Sequence, residues 1–286
     1  MIRIAGAPIS WGVCEVPGWG HQMAPGRVLA EMREAELAAT EFGPDGFMPA
    51  GPDERAALLG GYGLTAVGGF VPVVLHEEDH DPLPEVRRAL AGFGAARTLV
   101  LAAATGGDGY DGRPPMTTAG WRTLLANLDR VAASAGEAGL TTALHPHVGT
   151  MVETAGEVSR VLSGSGVPLC LDTGHLLVGG ADPAAVARDH ANRIAHVHLK
   201  DVDAAMAARV RTGELGYTEA VQAGLYRPLG QGDVDLAGIV TALSATGYDG
   251  WYVLEQDTVL DAEPAAGAGP LDDVRASVAH LRKLAS

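Results

Sequence analysis

Two short stretches of the chain carry histidines two residues apart: His196 and His198 in HVHLKD, and His145 and His147 in TALHPHVGT. Both lie in apolar, strand-like sequence. Side chains alternate between faces there, so the members of each pair are expected to point to the same side. Between the pairs lies LCLDTGH, an apolar run ending in Asp172 and His175, and near the C-terminus WYVLEQD carries Glu255. A carboxylate at the end of a buried strand is unfavourable unless it is paired or metal-bound. For any one of Asp172, His198 and Glu255, a helix cap or an arginine partner would be the plainer account; three together at strand ends favour a metal site. Nitrogen and oxygen ligands in one set suit manganese, cobalt, iron, zinc or magnesium, and the residues alone do not choose among them.

Positioning such residues at one rim is what a (β/α)8 barrel does, because its functional side chains stand at the C-terminal ends of its strands. Strand-like runs are expected at Ile2–Ile9, Thr40–Phe42, Leu64–Val74, Thr98–Ala103, Thr141–His145, Pro168–Asp172, Ile194–Leu199 and Gly250–Glu255. Helical patterns fall between them at 25–38, 53–60, 83–95, 117–138, 154–163, 183–190, 203–223 (broken) and 235–246, with a last helix at 271–284. The strands are apolar without polar alternation, as parallel strands covered by helices are. The reading is an α/β fold, a single-domain TIM barrel over residues 1–286. A doubly wound sheet is the runner-up; against it, no GxGxxG or GxxxxGK[ST] follows the first strand. The Gly/Pro-rich stretch 104–116 is expected as a rim loop.

The formal net charge of −15 argues against nucleic acid as a partner, since phosphate binding needs clustered Lys and Arg. No apolar run approaches the roughly 20 residues of a membrane helix, and the start MIRIAGAPIS lacks the features of a signal peptide, so a cytoplasmic protein is expected. Cys14 and Cys170 are expected to be reduced and packed. The chain has only two lysines, Lys200 and Lys283, and one of them follows the histidine pair. That placement favours a compact ammonium charge at the site.

The segments LDTGH, HVHLKD, YRPLGQGDVD and GYDGWYVLEQD resemble the sugar isomerase/epimerase superfamily with a xylose-isomerase-like barrel. GAPISWG, TEFGPDGFMP and HPHVGTMVET are similar to the myo-inosose dehydratase branch of it. The likeness covers nearly the whole chain. It implies a metal set of Glu, Asp, His and Glu from the last four strands. Asp172, His198 and Glu255 match the last three positions, and His145 stands at the first, where the superfamily has Glu; Glu153 is the alternative there. Losing one of two glutamates weakens a two-carboxylate epimerisation and favours one-sided deprotonation with loss of water. The expected cofactor is a divalent metal, manganese or cobalt ahead of magnesium, iron or zinc.

The expected reaction is dehydration of a cyclic keto-polyol resembling an inosose. Glu255 is the base, and His147, His175 or Lys200 supplies a proton to the departing hydroxyl. His147 is otherwise a histidine held by the Glu153 loop, His175 an orienting partner of Asp172, and Lys200 a rim lysine paired to Asp201 or Asp203. Glu41 is expected to bind substrate hydroxyls or to bridge to an arginine. Trp11, with Trp19, is expected to wall the ring or simply to pack, Glu153 to contact substrate, and Arg227, with Tyr226, to cover the site or, for Arg227, to bind a phosphate and so change the substrate class. A keto-sugar isomerase or epimerase, or an eliminase of 3-keto-glycosides, is the alternative. The partner is a small polyol or keto-sugar; a homo-oligomer is compatible with the fold.

Overall fold

The computed structural model describes residues 2–284. Eight parallel strand positions follow one another: β1 (Arg3–Gly6), β2 (Ala39–Thr40), β3 (in two segments, Thr65–Ala66 and Gly68–Val74), β4 (Thr98–Ala104), β5 (Thr141–Leu144), β6 (Leu169–Asp172), β7 (Ile194–Leu199) and β8 (Trp251–Leu254). The sheet order places the two segments of β3 at opposite ends of the row, with β2, β1, β8, β7, β6, β5 and β4 between them. Only Val67 separates those segments. Its N–H donates to Thr40 on one side, and its carbonyl accepts from Arg97 and Thr98 on the other. The row therefore closes on itself, which makes the fold a TIM barrel and removes the doubly wound alternative.

Strand alternation sorts the barrel into two faces. Leu99, Leu101, Leu144, Leu169, Leu171, Val197 and Leu199 pack in the main core with helix residues such as Leu124, Leu128, Val158, Val161 and Ile239. Ala5, Ala39, Val67 and Val253 form one small separate cluster, and Val100, Ala143 and Cys170 another. These side chains are small. They leave interior volume for Glu41, His196 and His198, all of which are buried.

The first strand is shorter than expected. Pro8 offers no N–H to a ladder, and Pro8–Trp11 instead winds into a 3-10 turn. The broken helical stretch resolves into Ala204–Arg211 and Tyr217–Gln222. An unexpected six-residue helix, Thr173–Val178, starts directly at the end of β6. Among the described residues, no helix is long and apolar enough to cross a membrane.

Candidate active site

The strand ends converge because of one register shift. Leu169 on β6 pairs with Ile194 on β7, but Cys170 pairs with His196, so Ala195 is the extra residue. The shift brings Asp172 level with His198, and on the other side of β7 His198 is level with Val253 of β8. Asp172 divides its two oxygens. Oδ1 accepts the His175 N–H at 2.8 Å and caps the short helix, whereas Oδ2 faces His145 Nε2 at 3.2 Å, Lys200 Nζ at 3.4 Å and His198 Nδ1 at 3.5 Å. The helix-cap and cluster readings of Asp172 therefore hold together, one on each oxygen.

His145, Asp172, His198 and Glu255 place one ligand atom each within 4.8 Å of one another. His198 Nδ1 lies 2.8 Å from Glu255 Oε2 yet outside hydrogen-bond alignment, and it is buried without a hydrogen-bond partner. Lone pairs that approach closely without sharing a proton are what atoms aimed at a common cation look like. The charges agree. Glu41, Asp172, Glu255 and Asp257 bring four carboxylates to the cluster, and Lys200 is the only lysine or arginine on the cavity wall among the described residues. Buried charge of one sign is unfavourable unless compensated. The residues present thus fit a divalent cation.

Electrostatics follows from these contacts. Burial opposes ionisation of Glu41, Asp172 and Glu255, but neighbouring histidines and Lys200 outweigh it and hold these carboxyls below their usual range. Burial likewise opposes charge on His198 and Lys200; the acids around them prevail, with Cys170 adding at His198, and both are pushed well above their usual values. Asp257 goes the other way. Burial, helped by Glu255 and resisted by Lys200, raises it to about 6.

Lys200 is fully enclosed. Its ammonium contacts Glu255 Oε2 at 2.5 Å and Asp257 Oδ1 at 2.7 Å. Asp257 Oδ2 accepts from the Tyr217 hydroxyl at 3.0 Å, which meets the Tyr226 hydroxyl at 3.1 Å. Thr173 Oγ1 donates to the Lys200 carbonyl and accepts its N–H, pinning the backbone. Gly174 is required beside it, because a Cβ there would lie 2.7 Å from both Lys200 Cβ and the Tyr226 ring. The expected rim pairing of Lys200 with Asp201 or Asp203 does not form. Asp201 instead accepts backbone N–H groups of Gly230, Gly232 and Val234.

A cavity of about 390 Å³ opens on this cluster, with Glu41, His145, His147, Lys200, Glu255 and Asp257 on its wall. That is the size of a small-ligand pocket. His147 is neutral: burial, with His145 and Lys200 beside it, lowers it to about 3. Its Nδ1 donates to the Val148 carbonyl at 2.7 Å, and its ring packs on Tyr110 and on His175, with centroids 4.3 and 3.7 Å away. Tyr110 comes from the expected rim loop and its hydroxyl donates to Glu15.

Four expected site residues stand elsewhere. Trp11 is turned into the core by the 3-10 turn and donates from Nε1 to Glu31 at 2.8 Å; Trp19 is the tryptophan on the cavity wall. Arg227 lies off the cavity, 3.5 Å from Asp203. Glu153 braces its own loop, accepting from Gly149 N–H at 2.8 Å and facing Arg113 at 3.3 Å, so it neither contacts the cavity nor replaces His145 in the cluster. His175 is buried behind His147 rather than on the wall. Glu41 is held by histidines and not by an arginine. Sequence reasoning missed Asp257, Tyr217, Tyr110 and Glu15. For Asp257 a signal existed, an acid two residues beyond Glu255; the other three come from loops or a short helix with no periodic pattern.

The family described as xylose isomerase-like TIM barrel matches residues 73–284. The rhizopine catabolism protein MocC of Rhizobium meliloti is 36% identical over 270 residues, which span 90% of this chain and 82% of that protein. An inosose dehydratase of Geobacillus thermodenitrificans is 30% identical over 267 residues, 90% of each chain. Among solved structures, an L-ribulose 3-epimerase superposes with a TM-score of 0.70 at 20% identity, covering 99% of this chain and 94% of that one. At that identity the likeness bears on the fold.

Proposed function

Because this chain belongs to the xylose isomerase-like TIM barrel family, we propose that it is a divalent-metal-dependent dehydratase acting on a cyclic keto-polyol of the inosose kind. The observation that carries this reading is the contact of Glu255 with Lys200 at 2.5 Å, a carboxylate base touching an ammonium acid inside the cavity cluster. The inosose dehydratase named above supports the choice of substrate class. A divalent cation, manganese or cobalt ahead of magnesium, iron or zinc, would be held by His145, Asp172, His198 and Glu255. When bound it would supply Lewis-acid polarisation of the ketone, which acidifies the carbon beside it.

The chain's own residues then account for the proton traffic. Glu255 takes the proton from the hydroxyl-bearing carbon alpha to the ketone. The C–O bond on the next carbon breaks, and its electron pair leaves with the oxygen. Lys200 protonates that oxygen, and water departs. The double bond left behind is an enol, which tautomerises to a dione. Glu255 now carries the proton and Lys200 lacks one, and their direct contact lets the proton pass back and reset the site. Acid and base groups of this kind each supply about 10²–10⁴-fold. His147 orients ring hydroxyls from the wall, and Asp257 with Tyr217 keeps the ammonium aimed. His145, neutral through burial, stands where a second glutamate would serve a two-base exchange.

Metal-stripped protein reconstituted with Mn(II) or Co(II) is incubated with 2-keto-myo-inositol and a panel of keto-sugars, and products are followed by mass spectrometry. Metal-dependent loss of water from the inosose is the expected result. Deuterium uptake from heavy water with no loss of water would replace this reading with the keto-sugar isomerase or epimerase, and elimination confined to 3-keto-glycosides would replace the substrate.

A further inference from the structure

We infer that Glu41 is a positioning residue: reaching across the barrel from β2, it sets the orientation and tautomer of His198 and so prepares the cation site. This rests on the reading of the cluster as a cation site. Glu41 follows β2, and three steps of the sheet separate that strand from β7. Its carboxylate therefore reaches His196 and His198 through the barrel interior and not along the ladder. The side chain is 4% exposed, and its ion-pair partners are these two histidines.

Both bonds fall on one oxygen. Oε1 lies 2.7 Å from His196 Nε2 and 2.9 Å from His198 Nε2. An ionised carboxylate only accepts, so both Nε2 atoms carry the protons. The acids that push His198 above its usual value favour positive charge at Nδ1, and a bound cation takes the place of the proton there; the ring that ligates is then neutral, protonated at Nε2 with its lone pair on Nδ1. That is the atom 2.8 Å from Glu255 Oε2, 3.5 Å from Asp172 Oδ2 and without a hydrogen-bond partner. The opposite tautomer would put a proton into the ligand cluster and turn a lone pair toward Glu41. Carboxylates behind ligating histidines fix ring orientation and basicity in this way. His196, two residues deeper on the same face, holds the same oxygen and fixes Glu41 in place on the cavity wall. The arrangement also explains an acid at this strand end with no arginine beside it.

The test titrates metal-stripped full-length protein with Co(II), reading affinity by calorimetry and coordination by the visible absorption of the ion. Glu41→Ala is expected to weaken Co(II) binding about 10–100-fold and to alter the spectrum. Glu41→Gln, whose amide oxygen still accepts both bonds but without the negative charge, is expected to lose less. If Glu41→Ala fails to fold, the Gln variant carries the test. Unchanged affinity and spectrum with a raised KM would overturn the inference in favour of a direct substrate contact. Two Co(II) per wild-type chain, falling to one in the variants, would overturn it in favour of a second ion held by Glu41, His196 and His198. Wild-type protein that binds no Co(II) would remove the cation site itself, whereas tight binding by wild type and both variants would remove only the role given to Glu41.

Discussion

His196 and His198 lie on β7 and share one carboxylate oxygen, whereas His145 and His147 lie just beyond the end of β5 and hydrogen-bond to different groups, Asp172 and the Val148 carbonyl. The rings within each pair are equally far apart, 5.1 and 5.3 Å between centroids. Their electrostatics diverge nonetheless. Burial disfavours charge at all four, but His198 is surrounded by Cys170, Glu255 and Glu41 and is pushed well above its usual value. His147 has burial, His145 and Lys200 against it, and falls to about 3. Identical spacing therefore decides which side a pair faces. What the other strands bring to that side decides whether positive charge, a proton or a cation, is favoured beside it. One half of the rim is a tied ionic cluster; the other is a neutral stack of His147, His175 and Tyr110.

Substitutions can test that division. The largest effect is expected at Glu255→Gln, with kcat for water loss falling about 10²–10⁴-fold when the variant, folded by circular dichroism, is assayed with Mn(II) raised until its site is filled. Full activity in a folded, metal-loaded variant would remove Glu255 as the base. Lys200→Met should come next, because it strips the ammonium from the facing carboxylates; breaking a buried pair costs about 3–5 kcal/mol in denaturant unfolding. A loss comparable to that of a surface lysine would show that the cluster is not tied. Chelation of the ion should lower stability by about 2.7 kcal/mol relative to protein holding it at 100 times Kd, and readdition of Mn(II) should restore the melting temperature.

The smallest effects bear on the comparison most directly. His196→Leu leaves Glu41 short of a donor and should lower unfolding free energy by about 1–3 kcal/mol. His147→Leu keeps an apolar side chain against Tyr110 and His175 and loses the neutral bond to the Val148 carbonyl, about 0.5–1.5 kcal/mol. Equal losses at the two positions would break the distinction between the ionic and the neutral half of the rim.

Much of this site was legible before any coordinates. Asp172, His198 and Glu255 are acids or imidazoles at the ends of apolar strands, and strand alternation with barrel topology requires such residues to meet at one rim. His145, read through its place in the resemblance, joins them. Where reading failed, it failed for physical reasons. Trp11 follows a strand that Pro8 ends early, and that turn sends the indole inward to Glu31. Glu153 and Arg227 are rim residues whose charges are met by close neighbours, Arg113 and Asp203. Nothing in a single sequence says which neighbour will be near enough.

The sequence by itself determined the alternation of apolar strands and amphipathic helices, and with it the barrel and the set of side chains delivered to its rim. Those properties follow from local periodicity, which a chain carries wherever it folds. The tertiary structure alone decided the one-residue shift between β6 and β7 that sets Asp172 opposite His198. It also decided the reach of Glu41 across the interior to both histidines and the enclosure of Lys200 by Glu255 and Asp257. These depend on register and on distances between residues as far apart in sequence as Glu41 and His198, and such distances exist only once the barrel has closed.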